Sequence, residues 1–141
     1  MNDLTFYLIT SVQVLAAIAV FSFVGFWPGP WTAQRFVGSA LLLIGMLLVC
    51  IARLQLGRSF SVTPQARELV THGLYSKVRN PIYVFGTIAI AGLCLILQKP
   101  AMWLFLLAIV VIQTVRARKE ARVLESKFGD DYRSYRSRTW F

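Results

Sequence analysis

The sequence places groups that could bind a ligand at the start of a predicted helix. Asn80 is a favoured N-cap residue, and Pro81 is favoured at the first helical position. Unpaired amides from Ile82 and Tyr83 onward would carry the positive end of the helix dipole, which suits a carboxylate or phosphate. Tyr75 and Tyr83 flank this start, and their rings could hold a flat base or a sulfonium cation. An ordinary capped helix flanked by membrane-belt tyrosines is the alternative interpretation.

A second group of candidate residues lies on a predicted helix near the C-terminus. By three- and four-residue spacing, Glu120 shares a face with Val123, Leu124 and Phe128. A carboxylate on this apolar face needs a partner, because burying it unpaired costs free energy. Arg116, one turn earlier, would give an intrahelical ion pair. Alternatively, Glu120 receives a ligand cation and Arg116 receives a ligand anion.

The histidine and the cysteines give no sign of a metal or redox centre. His72 is the one histidine of the chain and has no Cys, His or carboxylate cluster around it, so we expect no metal site. Cys50 and Cys94 lie in apolar runs and cannot form a disulfide framework. Because they lie near opposite ends of antiparallel helices, we expect both to be free thiols.

The composition shows what kind of protein must position these groups. Of the 141 residues, 57% are hydrophobic and 15% are charged, whereas soluble domains are about 25% charged. This balance excludes a soluble globule, a disordered chain, a collagen-like repeat and a disulfide scaffold. We therefore expect an integral membrane protein.

Four apolar stretches without Asp, Glu, Lys or Arg predict four membrane-spanning helices. They cover residues 5–26, 36–52, 82–97 and 101–115. The segment 27–31, with two prolines, ends the first helix, and only three residues separate the last two helices, which predicts a tight hairpin. The helix after the hairpin is expected to continue to Phe128 and to end at Gly129. The expected fold class is all-α: one polytopic membrane domain over residues 1–141, with a cytoplasmic loop 53–80 and a helical cytoplasmic tail 116–141.

Basic residues divide unevenly between the two sides of this arrangement. Of the fifteen Lys and Arg residues, only Arg35 and Lys99 lie on one side, and the other thirteen lie on the opposite side. Since cytoplasmic loops carry the excess of Lys and Arg, we expect both termini in the cytoplasm, and the inner membrane as location if the protein is bacterial. This distribution explains the net charge of +9 without a nucleic-acid partner and favours contact with anionic lipid headgroups.

Taken together, these segments resemble the isoprenylcysteine carboxyl methyltransferase family and its phospholipid N-methyltransferase relatives. The resemblance extends from about residue 56 to the end of the chain. It rests on the order and spacing of three pieces around the hairpin: Leu69-Val70-Thr71-His72-Gly73-Leu74-Tyr75, then Arg79-Asn80-Pro81-Ile82-Tyr83, then Glu120 with Leu124, Phe128-Gly129, Tyr132 and Tyr135. The first two helices match in hydrophobicity alone.

The resemblance implies a membrane methyltransferase that binds S-adenosylmethionine on the cytoplasmic side. By this resemblance the cofactor is lined by Arg67, Glu68, Leu69, Val70, Tyr75, Asn80, Pro81, Ile82, Tyr83 and Glu120. Arg116 falls where the family has an arginine that faces the methyl acceptor, and is the expected catalytic residue. Three positions depart from the family pattern: Asn80 and Arg67 stand where histidine is frequent, and Ala121 stands where a second glutamate is frequent.

The sequence leaves the methyl acceptor and the oligomeric state open. A prenylated cysteine, a phospholipid amine, a small thiol and a fatty carboxylate are all compatible acceptors. Two other functions fit part of the pattern. A small four-helix exporter would need an ionisable residue inside a span, which the four predicted spans lack. A reductase of the sterol-reductase type would need a nicotinamide site, and no loop is large enough for one. Measuring which labelled cofactor protects the protein against unfolding would distinguish the three functions.

Overall fold

A computed structural model describes residues 3–56 and 69–141. The described residues form five α-helices: α1 (Asp3–Phe26), α2 (Ala33–Leu56), α3 (Pro81–Leu97), α4 (Pro100–Phe128) and α5 (Asp130–Arg138). A short 3-10 helix, Gly73–Ser76, precedes α3. Within these ranges the extended backbone is limited to a parallel β-bridge between Val78 and Trp140. The expected all-α class is confirmed.

Two of the described helices, α2 and α4, are long and apolar enough to cross a membrane. Shorter apolar helical stretches cover Ser11–Phe26 of α1 and Pro81–Leu97, which is α3. The predicted spans 36–52 and 101–115 therefore lie inside α2 and α4, and both helices extend beyond these spans. A helical membrane protein is the architecture that these elements form.

The connection between α1 and α2 is held by a buried arginine. The guanidinium of Arg35 donates hydrogen bonds to the carbonyl oxygens of Val24 (2.7 Å), Trp27 (2.8 Å) and Gly29 (2.9 Å). Its Cζ atom lies 4.3 Å from the centre of the Trp31 ring, and the residue is 3% exposed. Arg35 thus ties the last turn of α1 to the connection that follows it. From the sequence, Arg35 was predicted only as a basic residue of a loop.

Helices α2 and α3 pack closely because small residues face each other. A Cβ atom on Gly38 would lie 2.7 Å from the carbonyl oxygen of Gly92. One on Gly45 would lie 2.7 Å from the amide nitrogen of Ala89 and 2.8 Å from the carbonyl oxygen of Phe85. Such distances leave room for hydrogen only. Close backbone approach through small residues is the usual way in which membrane helices associate.

The predicted hairpin between α3 and α4 is confirmed. α3 ends at Leu97, Gln98 adopts a left-handed conformation (φ 52°), and Pro100 is the first residue of α4. α4 then runs without a break to Phe128, where Gly129 (φ 51°) ends it, as the sequence predicted. The predicted span 101–115 and the residues Arg116 and Glu120 therefore lie on one continuous helix.

Candidate functional site

The first turn of α3 is built around Asn80. Asn80 occupies the N-cap position, as predicted, but its side chain makes no capping hydrogen bond. Its Nδ2 donates instead to the carbonyl oxygen of Phe141 (3.0 Å). The Tyr83 amide donates to the Asn80 carbonyl oxygen (3.0 Å), so the expectation of an unpaired amide at Tyr83 is wrong. Both differences arise because contacts with the end of the chain and a tight first turn satisfy groups that the sequence alone leaves open.

The central contact of the site joins α3 to α4. The Tyr83 hydroxyl donates a hydrogen bond of 2.6 Å to Oε1 of Glu120. Arg116 places a positive charge beside Tyr83. Tyr83 of α3 therefore meets Glu120 and Arg116, which were predicted together on a different segment. The sequence predicted either Arg116 or a ligand cation as the partner of Glu120. It did not predict that Tyr83 of the neighbouring helix bonds to Glu120.

A second polar contact lies one turn further along α3. Thr87 Oγ1 lies 2.8 Å from Gln113 Oε1 and 2.9 Å from the carbonyl oxygen of Tyr83. Neither Thr87 nor Gln113 was predicted from the sequence as part of the site. The available signal was spacing, since Thr87 follows Tyr83 by four residues and Gln113 precedes Arg116 by three. Polar residues at helical spacing within apolar stretches are rare in membrane helices and mark contacts or functional groups.

Tyr75, on the 3-10 helix before α3, is buried near the contact between Tyr83 and Glu120. The Tyr135 hydroxyl donates to its carbonyl oxygen (2.7 Å), and the Leu74 amide donates to Oε1 of Gln55 (2.7 Å). Burial raises the pKa of the Tyr75 hydroxyl well above its usual value, and the nearby Tyr135 and Glu120 raise it further. Burial and the adjacent Tyr132 raise the pKa of Tyr135 to about 12. Both phenols are therefore neutral near pH 7 and offer hydrogen-bond groups and aromatic surface.

The other predicted cofactor residues divide into two groups. Pro81 is fully buried beneath the start of α3 and packs there, while Leu69, Val70 and Ile82 are half-buried. Arg67 and Glu68 lie outside the described residues. Of the predicted cofactor residues, Tyr83 and Glu120 form a direct contact, and Tyr75 is near enough for the charge of Glu120 to act on it.

The chemistry of this site is that of a carboxylate, phenols and a guanidinium. Among residues 3–56 and 69–141, no three His, Cys, Asp or Glu side chains are close enough together to hold a metal ion. Cys50 and Cys94 are both free thiols, and Cys94 is buried within α3. Glu120 is half-buried on a largely apolar helix face, which suits a ligand ammonium group. Arg116 is exposed one turn away and suits an anionic group.

Comparison with known proteins identifies the family. The model of the phospholipid methyltransferase family matches residues 33–131, from the start of α2 to the start of α5. The match begins well before residue 56, from which the sequence resemblance was predicted to extend. It therefore includes α2, the helix that packs against α3 through glycine residues. No curated protein sequence matches the chain.

A solved structure is also similar: the eukaryotic intramembrane Ras methyltransferase ICMT, isoprenylcysteine carboxyl methyltransferase. The two share 25% sequence identity with a TM-score of 0.63, over 99% of this chain and 52% of that one. The chain therefore spans about half the length of this relative. The family match covers more than half of the chain, including every described residue of the Tyr83 and Glu120 contact. The chain belongs to the phospholipid methyltransferase family.

Proposed function

We propose that the chain is an integral membrane methyltransferase that uses S-adenosylmethionine. The acceptor is a lipid or a small molecule that presents a carboxylate, thiol or amine at the cytoplasmic interface. The observation that carries this proposal is the 2.6 Å hydrogen bond between Tyr83 and Glu120, with Arg116 beside it. It places one group for a cation and one for an anion at the junction of two helices that the family model includes.

The residues fit the chemistry of this cofactor. When bound, S-adenosylmethionine would supply an electrophilic methyl group for transfer to a nucleophilic acceptor. Glu120 holds the cofactor's ammonium group, and Tyr83 fixes the carboxylate that does so. Tyr75 and Tyr83 offer aromatic surface for the adenine and the sulfonium. Arg67, Glu68, Leu69, Val70, Asn80, Pro81 and Ile82 complete the proposed cofactor site.

Arg116 is the proposed catalytic residue. It lies one turn nearer to the predicted span than Glu120, where the head of an amphiphilic acceptor would arrive from the bilayer. A guanidinium at this place orients a carboxylate or thiolate toward the methyl group. The reaction then depends on alignment and on exclusion of water.

We propose four membrane spans, at 5–26, 36–52, 82–97 and 101–115, with both termini in the cytoplasm. The close hairpin of α3 and α4 and the exposed apolar residues Leu104, Leu107, Val111 and Ile112 of α4 support this arrangement. The uneven distribution of basic residues supports the orientation. If the host is a bacterium, the location is the inner membrane. A cysteine added after Phe141 should stay unlabelled by impermeant thiol reagents in intact cells, and labelling from outside would contradict the orientation.

Calorimetric titration tests the cofactor proposal. Purified protein should bind S-adenosylmethionine and its demethylated product. Glu120→Gln should weaken binding of S-adenosylmethionine by roughly 1.5–3 kcal/mol, the usual value of a hydrogen bond to a charged group. Glu125→Gln is the matched control, because Glu125 lies on the same helix and pairs with the exposed Arg133 at 3.0 Å. Equal affinity of the Glu120 variant and the wild type would contradict the proposed role of Glu120.

A further inference from the structure

The last residues of the chain bind to residues 75–80, the segment that leads into α3. We call residues 139–141 the C-terminal strap. The Trp140 amide donates to the carbonyl oxygen of Lys77 (2.8 Å), and the Arg79 amide donates to the carbonyl oxygen of Trp140 (2.9 Å). These two bonds form the parallel β-bridge between Val78 and Trp140. The strap therefore lies beside the segment as a short strand would.

Two further contacts extend this attachment to both ends of the segment. At one end, the carbonyl oxygen of Phe141 accepts hydrogen bonds from the backbone amide and from Nδ2 of Asn80, both at 3.0 Å. At the other end, the hydroxyl of Tyr135, on α5, donates to the carbonyl oxygen of Tyr75 at 2.7 Å. Tyr75 and Tyr135 are each 6% exposed, so water does not compete for this bond.

The segment held in this way includes two residues of the proposed cofactor site. Tyr75 begins it, Asn80 ends it, and Tyr83 follows in the first turn of α3. Apart from one 3-10 turn, its backbone has no helix of its own to fix it. Ordering such a backbone costs about 1–2 kcal/mol of conformational entropy for each residue. If contacts elsewhere in the protein meet that cost in advance, the cofactor does not have to meet it on binding.

We infer that Tyr135 and the C-terminal strap are positioning elements of the cofactor site. They hold Tyr75 and Asn80 in the binding arrangement through backbone contacts and do not touch the cofactor. Asn80 is held by its backbone amide and by its side-chain Nδ2, which both donate to the carbonyl oxygen of Phe141. These two bonds orient the start of α3. This inference rests on the proposed function, because it assigns the held segment to cofactor binding.

Two variants each remove one hydrogen bond of this attachment. Tyr135→Phe removes only the hydroxyl that bonds to Tyr75. Trp140→Pro removes the amide that bonds to Lys77. Ser137→Ala is the control for the first, since the Ser137 hydroxyl bonds within α5 to Ser134 (2.8 Å). Trp140→Ala is the control for the second, because it keeps the amide and the Trp140 side chain is largely exposed.

The measurements are the dissociation constant for S-adenosylmethionine, its KM, kcat at saturating cofactor, and the midpoint of thermal unfolding. We expect Tyr135→Phe to raise the dissociation constant and KM about fivefold, the usual effect of one hydrogen bond, with kcat at saturation retained. Trp140→Pro should raise both by at least as much, and the two control variants should stay within about twofold of wild type. A contact that only stabilises the fold would lower the unfolding midpoint and leave the dissociation constant unchanged. That result in both variants would overturn the inference.

Hydrogen exchange separates this inference from the proposed function. Both variants should speed amide exchange at residues 77–80, whatever ligand the protein binds. If the wild type does not bind S-adenosylmethionine, the proposed function fails, and unchanged exchange in both variants would refute the strap separately. If Trp140→Pro does not fold, Tyr135→Phe alone decides, because it preserves the backbone and the ring.

Discussion

Helix α3 makes two kinds of contact with its neighbours. Towards α2 it presents Gly92 and Ala89, and the two backbones approach until no side chain fits between them. Towards α4 it presents Tyr83 and Thr87, which reach polar groups on the other helix. The first contact depends on the absence of side chains and the second on their polar atoms.

This difference separates support from function. At Gly38, Gly45 and Gly92, the atoms that α2 and α3 bring closest together belong to the backbone and to leucine and isoleucine side chains, so we expect this contact to fix the position of α3. The contact between α3 and α4 includes a carboxylate and an arginine, whose charges interact with a ligand as readily as with each other. A mutation in the first region should therefore change stability, whereas a mutation in the second should change binding or turnover.

The largest expected effect belongs to the glycine contact. Gly45→Leu should lower the free energy of unfolding by about 3 kcal/mol, because the new side chain meets the backbone of α3. Thermal unfolding of the purified protein in detergent measures this loss. Gly86→Ala, in α3, is the matched control, since a Cβ atom there has no neighbour within 4 Å among the described residues. Equal stability of the two variants would mean that the two helices are not packed through Gly45.

The sequence predicts those features of the fold that depend on residues close together in the chain. Pro28, Pro100 and Gly129 end or begin helices through their own backbone preferences, and the structure has those boundaries. The face of Glu120 follows from helical spacing in the same way. Such features need only neighbours in sequence.

Contacts between distant residues could not be predicted in this way. Asn80 bonds to Phe141 across 61 positions and Tyr83 to Glu120 across 37, so their partners depend on how the helices pack. Arg35 likewise resembles a loop charge in the sequence, and only the fold shows it buried against three carbonyl groups. For the same reason, the sequence could name candidate residues but not the hydrogen bonds between them.

The next largest effect concerns the acceptor. Arg116→Ala should reduce kcat/KM for a carboxylate or thiolate acceptor by about 2 kcal/mol, roughly thirtyfold, because a charged hydrogen bond to the acceptor is lost. Affinity for S-adenosylmethionine should stay within about twofold. Arg118→Ala, at another exposed position of α4, is the control and should leave turnover unchanged. An equal loss with amine acceptors would contradict the role of Arg116 in orienting an anion.

A smaller effect is expected for the bond between the two helices. Tyr83→Phe should weaken binding of S-adenosylmethionine about tenfold, because the Glu120 carboxylate loses the hydroxyl that orients it. The double variant Tyr83→Phe/Glu120→Gln should bind about as weakly as Glu120→Gln alone, since both changes remove the same arrangement. Additive losses, measured by calorimetry, would show that Tyr83 acts on the cofactor independently of Glu120.

The smallest effect should come from the pair of Thr87 and Gln113, and it tests whether the polar contact also stabilises the fold. Polar pairs between membrane helices average about 0.6 kcal/mol, because the separated helices find other partners for the same groups. A double-mutant cycle of Thr87→Val and Gln113→Leu should therefore give a coupling free energy near that value in thermal unfolding. Thr114→Val is the control, because its hydroxyl bonds to Val110 within α4, and its coupling to Thr87 should be near zero. A coupling of about 3 kcal/mol for Thr87 and Gln113 would make the polar contact as important for stability as the glycine contact. The division of α3 into a supporting face and a binding face would then be wrong.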